Sequence, residues 1–380
     1  MIVKSYFPSQ VVSDVEKMSY DYGLKVAKAI EAEWFHTERG SNRYKTNHNN
    51  FHNLRLYARG EQSIQKYKDE LSINGDLSYL NLDWKPVPII PKFVDIVVNG
   101  ISERTYDIKA YSQDEYGVSK RTEYMKSIIK DMQTKELNDY VNNAFGINLY
   151  ESDPQVLPET QEELDLHMQL TYKQAVEIAE EQALNVLLEG NDYELIKKRF
   201  YYDLTVLGIG AVKTSFNTSE GVIVDYVDPA DLVYSYTESP YFDDIYYVGE
   251  VKNIPINELA KQFPHLTQED LEDIVKNKYY DKTNYNQGYS YSENDNNKVQ
   301  VLYFNYKTYM NEVYKVKETG SGAEKILQKD DTFNPPEDAE NFGKLQRSIE
   351  CLYDGALILG TGKLLKWEMA KNMMRPKSDF

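Results

Sequence analysis

The residues with chemistry to offer are few and do not converge. The carboxylates Glu162, Glu163, Glu177, Glu180, Glu181 and Glu189 fall within one acidic stretch, Glu159 to Glu189. Two carboxyl groups facing across a cleft can divide acid and base roles between them. These six lie off the apolar stripe of a helical repeat with no partner group in view, which describes a solvated face. His48 and His52 are four apart and could share a helical face, with His36 upstream. Zinc needs three or four ligands, and no third one stands at a sensible spacing. Gly208-Ile209-Gly210 is a fragment of a dinucleotide fingerprint, but it precedes a strand instead of opening a helix, so it cannot cradle a phosphate. No GxxxxGK[ST], HExxH, CxxC or GxSxG occurs. The inventory predicts no catalytic, cofactor-binding or metal-binding residues, and a protein that is not an enzyme.

A second group could bind without reacting. Arg39, Arg43, Lys45, Arg55 and Arg59 gather in a polar segment, interleaved with Tyr44 and Phe51, and Gly40 to Asn53 reads as a loop. Such a basic loop could touch nucleic acid or an acidic neighbouring chain, and a plain solvated loop would look the same. The 380-residue chain otherwise carries a net charge of −18. The excess acid sits in the middle: residues 131–199 hold 5 Lys and Arg against 15 Asp and Glu, and residues 200–298 hold 7 against 17. A surface of that sign does not grip phosphate, but it would suit a duct through which nucleic acid slides. Tyr outnumbers Phe by 33 to 13, which suits surfaces half-buried between chains. The single cysteine, Cys351, excludes a disulfide framework and suggests a reducing compartment. No apolar run reaches the roughly 20 residues of a membrane span, and the first residues do not read as a signal peptide.

These residues are positioned by elements organised around Arg199 to Val251. A helix-like stretch ends at Gly208-Ile209-Gly210. Ala211 to Phe216 reads as a strand, Asn217 to Gly221 as a polar turn, and Val222 to Val227 as the return strand. Asp228-Pro229 stops it, because proline cannot donate to a ladder. Ile245 to Val251 reads as a third strand. The expected unit is a helix docked on a small antiparallel sheet, with Phe200, Leu204 and Leu207 against Val212, Ile223 and Val227.

Upstream, Ser13 with Glu16 three residues on predicts a capped helix running to Glu33. Leu54 to Lys68 reads as a second helix, and Ile89 to Gly100 as a buried third. Thr105 to Ser112 alternates like a strand, Thr122 to Phe145 reads as one long amphipathic helix, and Thr160 caps the acidic stretch, which Gly190 stops. Downstream, Asn257 to Phe263 and Thr267 to Lys278 read as short helices and Tyr279 to Asn297 as a linker. Gln300 to Tyr306 and Glu312 to Lys317 read as strands. Ser348 to Tyr353 and Ala356 to Leu359 read as a hairpin about Asp354-Gly355. Leu364 to Met374 reads as a Met-rich helix, and Arg375-Pro376 is expected to lead the chain onward or to be covered by partner chains.

WKPVPIIPKFVDIVVNGISERTYDIKAYS (Trp84 to Ser112), the segment from Asp203 to Val251 with its DPADLVYSY run, and the closing GALILGTGKLLKWEMAKNMMRPKS resemble tailed-bacteriophage portal proteins, closest to those of podovirus-type and crAss-like phages. The resemblance spans most of residues 50 to 380 and rests on motifs without catalytic content, in combination and order. It implies an α+β, portal-like fold: a helical wing with small antiparallel sheets over residues 1–265, a candidate stem helix and linker over 266–298, and an α/β clip over 299–380. It implies a homo-oligomeric ring, twelvefold in the family, at one vertex of the virion capsid, assembled in the bacterial host's cytoplasm. The implied partners are the major capsid protein, terminase, neck adaptor proteins, and double-stranded DNA passing without sequence-specific binding; no membrane is implied. A second stem helix, a channel loop and a crown do not appear. Another virion structural protein, a neck adaptor or capsid-associated protein, is the alternative. Within the clip, Tyr303, Tyr309, Tyr353 and Trp367 are the expected intersubunit or neck contacts, as amphipathic aromatics on a segment of balanced charge; a private core is the other reading.

Overall fold

The computed structural model describes residues 6–35, 42–61, 63–73, 79, 87–104, 106–153, 157–217, 221–277, 298–318, 324–335 and 342–370. The helices are α1 (Asp14–Lys17), α2 (Tyr20–Phe35), α3 (Arg43–Arg59), α4 (Gln65–Leu71), α5 (Ile90–Ser102), α6 (Glu115–Gln133), α7 (Lys135–Phe145), α8 (Gln161–Leu170), α9 (Ala175–Gly190), α10 (Tyr193–Leu207), α11 (Ile256–Gln262) and α12 (Gln268–Asn277). The strands are β1 (Ala211–Asn217), β2 (Gly221–Val227), β3 (Leu232–Tyr234), β4 (Tyr247–Pro255), β5 (Lys298–Glu318), β6 (Glu324–Lys329), β7 (Phe342–Ile358) and β8 (Lys363–Met369). The chain is mixed α+β with antiparallel pairing, as its pattern predicts.

Two compact units divide it. The first comprises residues 1–94, 203–211 and 227–380, the second residues 95–202 and 212–226. This is not the expected division at 265 and 298. The reason is pairing: β4 runs antiparallel along β5 from Tyr247↔Tyr306 to Pro255↔Lys298, so one sheet spans both expected boundaries.

The first unit is built on β5. Its sheet has the order β3-β4-β5-β7-β8, and β6 takes the edge of β5 beyond β4. Alternation along β5 serves both faces. Leu302, Phe304 and Tyr306 join Tyr22, Val26, Ile30 and Trp34 of α2, whose spacing makes one helical stripe. Val299 and Val301 face the other way, onto Leu259 and Phe263 near α11 and Ile274 of α12. Ser13 caps α1 through Glu16 as the sequence predicts, but the single helix expected to run to Glu33 breaks at Met18-Ser19 into α1 and α2. Thr267 with Asp270 opens α12.

Residues 43–53, expected in a loop, are helical and continuous with the helix expected from Leu54. α3 starts where Asn42 accepts from Lys45 N and ends at Gly60, φ 74°, which separates it from α4 and so breaks the helix expected to reach Lys68. Residues 106–112 form no ladder; Ala110 N and Ser112 N donate to the carboxylates of Glu181 and Glu177. The long helix from Thr122 is two, broken at Thr134, and begins earlier, at the Asp114 cap. β1 and β2 pair with each other while β3 and β4 belong to the larger sheet, so Arg199 to Val251 is not one sheet. Leu204 and Val212, expected in a core, are exposed. Asp354-Gly355 is not a turn: β7 runs through it, and a Cβ on Gly355 would lie 2.2 Å from the Phe304 ring, so glycine is there for packing. Leu364 to Met369 is strand, not helix. The candidate stem helix is described only as α12, and its continuation and residues 371–380 lie outside the described residues.

Candidate functional site

Helix α3 carries the basic residues singled out above, apart from Arg39, which lies outside the described residues. The Arg55 guanidinium meets Asp228 through both nitrogens, at 2.8 and 2.7 Å, and Asp203 at 2.9 Å. Arg43 pairs with Glu33 at 3.1 Å and lies over the Trp34 ring at 4.2 Å. Glu33 in turn accepts from Tyr247, whose hydroxyl accepts from Trp34 Nε1. Two of the four described cations are therefore engaged inside the first unit. Lys45 is half-buried and Arg59 exposed.

The electrostatics around Arg55 fit a structural clamp. Burial raises the pKa of Asp228, but the hydrogen bonds from Arg55 and Ala230 N outweigh it and hold this carboxyl below its ordinary value. Asp231 next to it goes the other way: burial raises it, the Tyr44 hydroxyl opposes, and the charge of Asp228 adds to the rise. Asp228-Pro229 read in the sequence as a strand stop; that Asp228 also caps the following turn and receives Arg55 needed the distant partner to be seen.

Of the four aromatics expected at contacts, Tyr353 and Trp367 are packed within the unit. Their rings stack at 4.8 Å and 13°, and Trp367 Nε1 donates to Lys17 O at 2.9 Å. Tyr353 is 1% exposed, which corrects its expected place at a surface. Tyr303 stacks on Phe263 and donates to Gln262 at 2.6 Å; burial pushes its hydroxyl up to about 12. Tyr309 is half-buried beneath Lys17 Nζ, 3.9 Å from its ring. No single patch of this unit unites the four. Beside them, burial raises the Cys351 thiol to about 11.

The acidic stretch of the second unit is not simply a solvated face. Glu177 is fully buried and accepts from Ser112 N, Gln174 N and Arg121. Glu181 accepts from Lys173 and Ala110 N. The apolar residues of the same helix, Val176, Ile178, Leu184 and Val186, point outward. Helical spacing marks both faces but does not say which one is inside.

Among the described residues no cluster of His, Cys, Asp and Glu could hold a metal ion, and no helix is long and apolar enough to cross a membrane. No protein-family model matches the chain, and neither does any curated protein. What the geometry offers is fastened salt bridges, packed aromatics and, on α9, apolar side chains turned outward.

Proposed function

We propose that this chain is a subunit of the portal ring of a tailed bacteriophage, a structural part of the virion that forms the DNA channel and docks terminase and neck proteins. The observation that carries the reading is the outward apolar surface of the second unit. Phe145, Leu170 and Val186 are 71, 68 and 68% exposed, while Glu177 is wholly enclosed. Apolar side chains exposed on α7, α8 and α9 favour cover by another chain, and a helix that turns Glu177 inward and Val186 outward is suited to being covered. Identical copies around a closed ring supply that cover. The order of the motifs from Trp84 to Ser112, Asp203 to Val251 and Gly355 to Ser378 favours a portal over other assembling virion proteins.

The reading needs no catalytic residue. A net charge of −18 per chain, repeated around a ring, discourages phosphate from sticking within about a Debye length of roughly 8 Å. DNA would pass such a surface without being held. Negative-stain images of the purified chain test the proposal: rings with a central opening support it, and compact single particles refute it.

A further inference from the structure

The far end of the large sheet carries charge of one sign on one face. Residues directly opposed across antiparallel strands share a face. The register sets Lys315 against Leu327 and Lys344, Lys317 against Lys325 and Phe342, and Val313 against Lys329 and Gln346. Five lysines, Lys315, Lys317, Lys325, Lys329 and Lys344, therefore share one face at this end; the carboxylate farther along the same face, Glu350 opposite Tyr309, pairs with Lys307. Glu312 belongs to the opposite face, where it accepts from Arg347. None of the five makes an ion pair among the described residues; Lys315 sits over the Phe342 ring at 3.9 Å, and Lys344 reaches only Asn334. Such a face in a chain of net charge −18 calls for a partner of opposite sign.

The same unit supplies one. Helix α12 turns Ile274 onto Val299 and Val301, and leaves Glu269 and Asp273, four residues apart, exposed and without an ion pair among the described residues. Asp270 between them is occupied by Lys363. The two charged faces cannot meet within one molecule. β5 runs from Val301 to Lys315 with unbroken pairing to β7, and at ~3.3 Å per residue that is on the order of 45 Å, several Debye lengths at physiological salt. We propose that the lysine face of one copy docks on the outer face of α12 of a second copy, head to tail. Identical acidic chains repel each other when they assemble. Setting lysines on carboxylates turns that repulsion into a local attraction and fixes which surface meets which. A contact between two different surfaces of the same chain repeats around a ring. The inference rests on the ring reading and names the contact within it.

The test uses the full chain, followed by sedimentation velocity and native mass spectrometry. One variant combines Lys317→Glu, Lys325→Glu and Lys344→Glu; the other combines Glu269→Lys and Asp273→Lys. Circular dichroism checks the fold, and Lys→Gln at the same three positions replaces the first variant if it fails to fold. The expected result is wild-type assembly that weakens with added salt, roughly tenfold or more weaker association for each variant alone, and recovery when the two are mixed. Wild-type assembly that neither variant alters, or no recovery on mixing, overturns the inference and leaves the ring reading standing. Assembly unaffected by the lysine variant, with loss of binding to a short DNA duplex by fluorescence anisotropy, assigns the face to phosphate and also overturns it. A wild-type chain that stays monomeric overturns the ring reading, and this contact with it.

Discussion

Arg55 holds Asp228 by both oxygens and reaches Asp203 with the same guanidinium, tying α3 to the end of α10 and to the turn before β3. Asp203 is almost wholly buried, with 3% of its side chain exposed, while 35% of Asp228 remains in water. Arg55→Met should therefore cost about 1–3 kcal/mol, less than the 3–5 typical of a fully buried broken pair, because Asp228 is partly screened. Urea unfolding measures it; a change below about 0.5 kcal/mol would show that the clamp contributes nothing.

Asp228 and Asp231 should respond to acid in opposite directions. Asp228 is held below its ordinary pKa, so its contribution is present above about pH 4 and is lost as pH falls through the lower folded value. Asp231 is raised, so its charge costs stability at neutral pH, and that cost disappears as it takes up a proton on acidification. Asp228→Asn should lower the melting temperature at neutral pH, with the deficit fading toward about pH 3. Asp231→Asn should leave it unchanged or raise it. Equal losses from both variants at neutral pH would contradict this assignment.

Much of the framework was legible. Ser13, Thr160 and Thr267 announce helix starts by capping chemistry that acts within three residues, and Gly208 and Asp228-Pro229 announce stops. What was hidden depends on partners far along the chain. α3 lacks a broad apolar stripe, so its polar start read as a loop. Gly355 looked like a turn because its reason is Phe304 on the neighbouring strand. Glu177 looked solvated because Arg121 and Ser112, which hold it, stand more than fifty residues upstream. The Tyr353 and Trp367 pair had the composition of an interface and the geometry of a core.

Gly355→Ala puts a methyl group into the Phe304 ring and should cost about 1–3 kcal/mol by overpacking. Phe304→Leu in the same chain should recover part of that loss. A double-mutant cycle by thermal unfolding reads the coupling; additive effects would mean that the ring moves aside freely.

Glu177→Ala leaves Ser112 N, Gln174 N and Arg121 without their acceptor inside the second unit. A cost of about 2–4 kcal/mol is expected, because buried donors left unpaired carry the full desolvation penalty of each. Hydrogen exchange should speed up at residues 106–112 and leave β5 and β7 protected. Unchanged protection at Ser112 would refute a structural role for this carboxylate.

Cys351 is buried, and its thiol is raised to about 11. The thiolate is the reactive form, so a thiol reagent at about pH 8 should modify the folded chain slowly and the urea-unfolded chain fast. Equal rates would place Cys351 at an accessible surface.

The central claim is that the chain assembles with copies of itself into a ring. Native mass spectrometry of the purified protein at micromolar concentration tests it most directly. The account predicts a closed assembly whose mass is a multiple of the 44.2 kDa subunit, twelvefold by the family resemblance. A single species at 44.2 kDa, persisting at low salt, would contradict it.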